Sequence, residues 1–170
     1  MTGEVSEVAV SNTVDPMELR QTLGQFPTGV TIVTTLDQQQ QPVGMTASSF
    51  NSLSLTPPLI LWSIDKKTGC FDAFNHCEHF AVHVLTEQQA ELSTHFAKRG
   101  VDKFAGLELD AGITGAPLLP TFCARFECEV ENRYEGGDHI IMVGRVLHMQ
   151  RDDSQRPLGF HRGKYVNLSQ

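Results

Sequence analysis

Two long runs of β-prone residues, Thr121 to Tyr134 and His139 to Gln150, are separated only by Glu135-Gly-Gly-Asp138. Glycines followed by aspartate supply the turn conformations of a tight hairpin, so the two runs should return on each other as antiparallel neighbours. Parallel strands would need a long crossover between them, and none fits here. Gly29 to Leu36 is β-branched almost throughout and reads as another strand. Gln38–Gln41 with Pro42 reads as a hairpin loop, and Val43 to Phe50 as the partner strand. Leu59 to Ile64 is apolar enough for a buried strand, and Phe80 to Leu85 reads as one more.

Helix signals are fewer. Asp15-Pro16-Met17-Glu18 offers an N-cap, a first-turn proline and a glutamate to close a capping box, with the helix ending near Gly24. Thr68 to His76 should be a short helix. Thr86 and Gln89 form a second capping box ahead of Ala90, Leu92 and Phe96, which share one apolar side. Residues 98–120 read as an irregular connection, and Arg156 to Leu168 closes the chain. Hairpin-linked strands with two or three short helices predict a mainly β fold, an antiparallel barrel.

The 170 residues suit one domain, expected over 15–170, behind a flexible N-terminal arm at 1–14. A net charge of −7 argues against nucleic acid or an anionic membrane as partner. With no basic residue before Arg20 and no long apolar run, neither a leader nor a membrane span is expected, and the cytoplasm is the expected location. Cys70, Cys77, Cys123 and Cys128 match neither zinc nor redox spacings and read as buried reduced thiols; no metal is expected. Cys70 and Cys77 would share a helical face if their segment were helical.

No glycine-rich dinucleotide fingerprint, Walker sequence, nucleophile elbow or His-Glu-x-x-His occurs. The segment Gly44-Met-Thr-Ala-Ser-Ser-Phe-Asn-Ser-Leu-Ser-Leu-Thr-Pro-Pro58, leading to Asp65-Lys-Lys-Thr68, is the most suggestive one for chemistry. Small side chains let a planar ligand approach the backbone, and hydroxyls can bind phosphate without adding charge. The same hydroxyls could instead be satisfied by main chain within a strand.

Seven segments, in order, resemble the short-chain flavin reductases, the small components of two-component flavin monooxygenases. They are Phe26–Thr31, Gly44–Phe50, Pro58–Lys67, Leu92–Ala97, Asp102–Gly106, Gly136–His139 and Gly159–Tyr165. Within that family the likeness leans toward the reductase component of 4-hydroxyphenylacetate 3-monooxygenase, through Trp62–Lys67 and Gly-Gly-Asp-His. The resemblance implies a split β-barrel for binding flavin, a homodimer, FMN or FAD with NADH as cofactors, and a flavin-dependent monooxygenase receiving the reduced flavin.

Carried onto this chain, the resemblance implies that Thr46, Ala47, Ser48 and Ser49 line the flavin and that Thr28 approaches its ring. Ser63, Asp65 and Lys67 would sit at the end of the next strand, with Lys67 offsetting phosphate charge. Val84 and Leu85 would give main-chain contacts, and Phe96, Ala97 and Lys98 the phosphate side. His139 would contact the nicotinamide; read from residues alone, a solvent-exposed turn histidine is the stronger reading, and the family match reverses that order. Asp138 would stabilise the turn. His161, Arg162 and Tyr165 form a second polar group, with Arg162 facing either a phosphate or solvent. His83 departs from the family's usual asparagine and is either a ring contact or a core imidazole. Hydride transfer between two cofactors needs orientation more than a strong acid or base. An enzyme of pyridoxamine-phosphate-oxidase type and a non-catalytic flavin-binding module remain as alternatives.

Overall fold

A computed structural model describes residues 14–168, so the expected arm lies almost wholly outside the described residues. The strands are β1 Thr28–Gly29, β2 Thr31–Leu36, β3 Pro42–Ala47, β4 Asn51–Leu55, β5 Pro58–Asp65, β6 His79–Val84, β7 Asp110–Ala111, β8 Pro117–Leu118, β9 Ala124–Gly136, β10 His139–Arg151, β11 Leu158–His161 and β12 Lys164–Asn167. The helices are α1 Pro16–Leu23, α2 Phe71–His76 and α3 Ala90–Ala97. The fold is mainly β and antiparallel, as expected.

One seven-stranded sheet runs in the order β3-β2-β6-β9-β10-β5-β4. Its two edges, β3 and β4, are consecutive in the chain and joined through Ser48, Ser49 and Phe50 alone. Laid flat, seven strands would hold those edges about 29 Å apart. The link from Ala47 to Asn51 can span at most about 14 Å. The sheet must therefore roll up until its edges meet, giving a barrel split along the β3/β4 seam. Ser49 closes that seam locally: its Oγ accepts from Ser63 N at 2.9 Å and donates to Ser63 O at 3.1 Å.

Alternation along the strands fills the roll. Ile60, Trp62 and Ile64 of β5 point inward, and the register sets Trp62 beside Met142 and Ile64 beside Ile140. Val33, Phe74, Phe80 and Val82 complete this core, with the Trp62 and Phe74 rings edge to face at 5.0 Å. Strand β2 is covered on both sides, and Val30 and Ile32 join Leu85, Phe96, Leu119 and Leu158 in a second core under α3 and β11.

Several expectations needed correction. The partner strand ends at Ala47 rather than Phe50, and Asn51–Leu55 forms an unexpected edge strand. The apolar run of β5 is buried on alternate residues only, because its other face looks outward. α2 starts at Phe71, so Cys70 and Cys77 flank it instead of sharing its face. All four cysteines are unpaired, but only Cys77 and Cys128 are buried; burial pushes the Cys128 thiol up to about 12. Asp15 caps α1 by accepting from Met17 and Glu18 N–H at 2.8 Å, whereas no return bond from the Glu18 side chain forms. The Thr86–Gln89 capping box does form, ahead of a short 3-10 turn.

Candidate functional site

A cleft of about 610 Å³ opens between β3, the turn from β5 into α2, and the segment that follows α3. A ligand of cofactor size fits a volume of this order. Six of the residues nominated from sequence line it: Thr46, Asp65, Lys67, Phe96, Ala97 and Lys98. Gly44 lets the cleft form, because a Cβ there would sit 2.8 Å from the Phe96 ring and 3.0 Å from the Phe104 ring. Those two rings meet edge to face at 5.1 Å and make an apolar wall.

The hydroxyl segment divides. Thr46 Oγ1 donates to Ser93 O at 2.6 Å, and the Ser49 hydroxyl is engaged at the seam with Ser63. Ala47 is buried in the barrel core. Ser48 is exposed, has no side-chain partner among the described residues and lies outside the cleft lining; of Thr46, Ser48 and Ser49 it alone has an unengaged hydroxyl. Thr28 Oγ1 is buried and has no hydrogen-bond partner among the described residues, and Thr28 lies outside the cleft lining.

Leu85 does not reach the cleft. It is fully buried, its N–H donates to Val30 O, and its carbonyl accepts from Leu158 N. Val84, half-buried in β6, accepts from Cys123 N. Tyr165 lines a shallower groove that shares Lys98 with the cleft, and its hydroxyl donates to Ser93 Oγ at 2.8 Å. His161 ends β11, away from the cleft lining. Arg162, at a φ of 51°, caps the β11–β12 turn and donates to Gln25 Oε1 at 2.9 Å, which ties it to the end of α1.

His139 is not part of the cleft lining but is paired with a residue that is. It begins β10 directly opposite Asp65, and Gly137 takes the positive φ, 75°, at the first position of the two-residue turn. Asp138 does more than shape that turn. Its Oδ1 lies 2.7 Å from His139 Nδ1, and this hydrogen bond holds the carboxyl below the usual aspartate range. Its carbonyl accepts from Lys66 N, and Lys66 Nζ bridges Gly137 O and Glu135. With Nδ1 occupied, Nε2 is the nitrogen left to meet a ligand.

His83 is a core imidazole. It is fully buried, with Nδ1 3.1 Å from Ile32 O and Nε2 accepting from Leu119 N at 3.1 Å. Those partners assign the neutral tautomer with the proton on Nδ1. Burial pushes its pKa down to about 4, a shift that the Ile32 bond opposes and the Arg125 charge reinforces.

Residues 23–169 match the model of the flavin reductase like domain. The chain belongs to this flavin reductase-like family. It is 40% identical over 155 residues to the reductase subunit HsaB of a flavin-dependent monooxygenase from Rhodococcus jostii, covering 91% of this chain and 79% of that protein. It is 42% identical over 150 residues to the FMN reductase (NADH) SmoA of Agrobacterium fabrum, covering 88% and 84%. The solved NADH:FAD oxidoreductase SgcE6 of Streptomyces globisporus, in complex with NAD and FAD fragments, superposes with a TM-score of 0.86 at 38% identity, covering 92% and 96%. Other relatives are longer: the chain spans 65% and 48% of two Rhizobium meliloti reductases. The narrower likeness to the 4-hydroxyphenylacetate component rests on Trp62–Lys67 and Gly-Gly-Asp-His alone.

What sequence reasoning missed in this flavin reductase-like chain is the far wall of the cleft, Arg99 to Phe104. The signal was present, since Asp102-Lys-Phe-Ala-Gly106 is one of the matched segments, yet residues 98–120 read only as a connection. Lys67, Lys98, Arg99 and Lys103 give the cleft four cations, and none is in an ion pair among the described residues. Its two aspartates face their own turns, Asp65 accepting from Lys67 N and Asp102 from Phe104 N. A lining with more cations than carboxylates, in a chain of net −7, fits an anionic, phosphate-bearing flavin.

Proposed function

We propose that this chain is an NADH-dependent flavin reductase that takes FMN or FAD into the cleft and hands reduced flavin to a separate flavin-dependent monooxygenase. The observation that carries this reading is a cleft of cofactor size lined by four cations against two aspartates, on a fold shared with SgcE6. Bound flavin supplies the hydride-accepting chemistry, and the protein supplies orientation. Lys67 and Lys98 offset phosphate charge, and Phe96 walls the ligand on its apolar side. Ser48 and Thr28 offer hydroxyls to polar edges of the ligand. His139, its ring fixed by Asp138, turns Nε2 toward the nicotinamide amide. SmoA is named for NADH and FMN, SgcE6 for NADH and FAD, which supports NADH as donor and leaves both flavins as acceptors to be compared.

One flavin reductase-like unit, residues 15–170, carries the activity, and two copies pair. The argument for pairing is apolar exposure. α1 buries none of its residues, and Met17, Leu23 and Phe26 are 68%, 65% and 73% exposed. Leu55 on the edge strand β4 is 93% exposed. A second copy can cover such surface. No helix among the described residues is long and apolar enough to cross a membrane, and the cytoplasm is the proposed compartment.

One assay tests the activity: oxidation of NADH and of NADPH with riboflavin, FMN and FAD added in turn. NADH turnover that depends on added flavin is the expected result. Flavin that survives dialysis, with no NADH turnover, would instead favour an oxidase of the pyridoxamine-phosphate type. Binding of flavin with no NADH oxidation would leave a non-catalytic module.

A further inference from the structure

Ser93 sits in the middle of α3 and is fully buried, where an unbonded hydroxyl is destabilising and alanine would favour the helix more. Its bonds reach outside the helix. Ser93 Oγ accepts from the Tyr165 hydroxyl at 2.8 Å, and Ser93 O accepts from Thr46 Oγ1 at 2.6 Å. Those two partners belong to different sheets. Tyr165 is on β12, at the edge of the three-stranded sheet β1-β11-β12, and Thr46 is on β3, an edge of the seven-stranded one. Only β2 pairs with β3, so side-chain bonds count for more in placing β3 than in placing a central strand. The cleft lies where α3 and β3 meet: Thr46 lines it from β3, and Phe96 and Ala97 line it from α3. Phe96 follows Ser93 by three residues, less than one turn of helix.

We propose that Ser93 is a positioning residue for the flavin: held between Tyr165 and Thr46, it sets the spacing of α3 from β3, and with it the place of the Phe96 ring and of Lys98 against the ligand. The proposal rests on the flavin reductase reading and adds to it a residue that touches no ligand. The Thr46 hydroxyl then serves the cleft wall and not the flavin. Tyr165 lines the groove beside the cleft, yet it acts through its bond to Ser93 and not by contact with flavin.

The test uses FMN as the probe and reads its dissociation constant by calorimetry, the visible spectrum of bound FMN, and the urea midpoint. Tyr165→Phe keeps the ring that packs edge to face on Phe160 at 5.6 Å and removes only the hydroxyl. Ser93→Ala removes the acceptor of the same bond. Each variant should weaken FMN by about three- to ten-fold, the size of one neutral hydrogen bond. Each should also shift the visible spectrum, which reports the surroundings of the isoalloxazine ring. The double variant should bind no more weakly than the single ones, since both remove one shared bond. Additive losses would place Tyr165 against the flavin itself and overturn the proposal. A lowered urea midpoint with FMN affinity and spectrum unchanged would make Ser93 a packing residue only, and would overturn it too. Should Ser93→Ala fail to fold, Tyr165→Phe decides alone, and FMN affinity and spectrum matching wild type overturn the proposal. Failure of the wild type to bind FMN would overturn the flavin reductase reading itself, and this proposal with it.

Discussion

His83 and His139 occupy strands of the same sheet and have opposite fates. His83, on β6, lies between β2 and the Leu119 segment with both ring nitrogens engaged and no solvent contact. His139 starts β10 at the hairpin tip, opposite Asp65, with one nitrogen on Asp138 and the other without a partner among the described residues. The same side chain is thus a structural bridge in the sheet's middle and a half-exposed ring held by a single bond at its end. What separates them is the supply of partners. A central strand surrounds a ring with main-chain groups, while a two-residue turn leaves it half-free.

The largest test of that contrast is removal of the buried ring. His83→Leu leaves Ile32 C=O and Leu119 N–H unpaired in the interior and should lower stability by about 2–5 kcal/mol. The urea midpoint reports this, and flavin affinity per folded molecule should stay unchanged. A midpoint near wild type would mean that the bridge is dispensable.

Acid should act through the same histidine. Its pKa is about 4 when folded against an ordinary 6.5, so protons bind the unfolded chain more tightly. Its stabilising effect is complete above about pH 6.5 and fades as pH falls toward 4, by on the order of 3 kcal/mol. Urea titrations across that window should show a steeper loss in wild type than in His83→Asn. Parallel curves would show that His83 titrates normally in the folded state.

A smaller effect is expected at the seam. Ser49→Ala removes both hydrogen bonds to Ser63 and should cost about 1–2 kcal/mol of stability. Ser48→Ala, one residue earlier, should leave stability within about 0.5 kcal/mol and weaken flavin binding instead. If the two variants behave alike, the division of the hydroxyl segment is wrong.

The smallest change in stability is expected at the hairpin tip. His139→Ala should stay within about 0.5 kcal/mol of wild type yet raise the KM for NADH and slow flavin reduction several-fold, as for one lost hydrogen bond. Flavin affinity should hold. Stopped-flow reduction matching wild type would make His139 a turn residue only.

Much of this molecule was legible in local sequence. The β9–β10 hairpin followed from Gly-Gly-Asp, and α1 from its Asp15 cap and Pro16, because turn and cap chemistry act within a few residues. The matched segments named the family and most of one cleft wall. Tertiary contacts decided the rest. Whether Thr46 and Ser49 faced a ligand or their own main chain depended on α3 and β5 arriving beside them, at Ser93 and Ser63. Ending β3 at Ala47 and opening β4 at Asn51 were consequences of rolling the sheet until its edges met. Lys103 sits on an irregular segment with no periodicity to mark it, and only the pressing of β3 onto Phe96 and Phe104 brings it to the cleft. Hydrogen-bond partners distant in the chain leave no local trace in the sequence, so the burial of His83 and the exposure of His139 were settled by the fold.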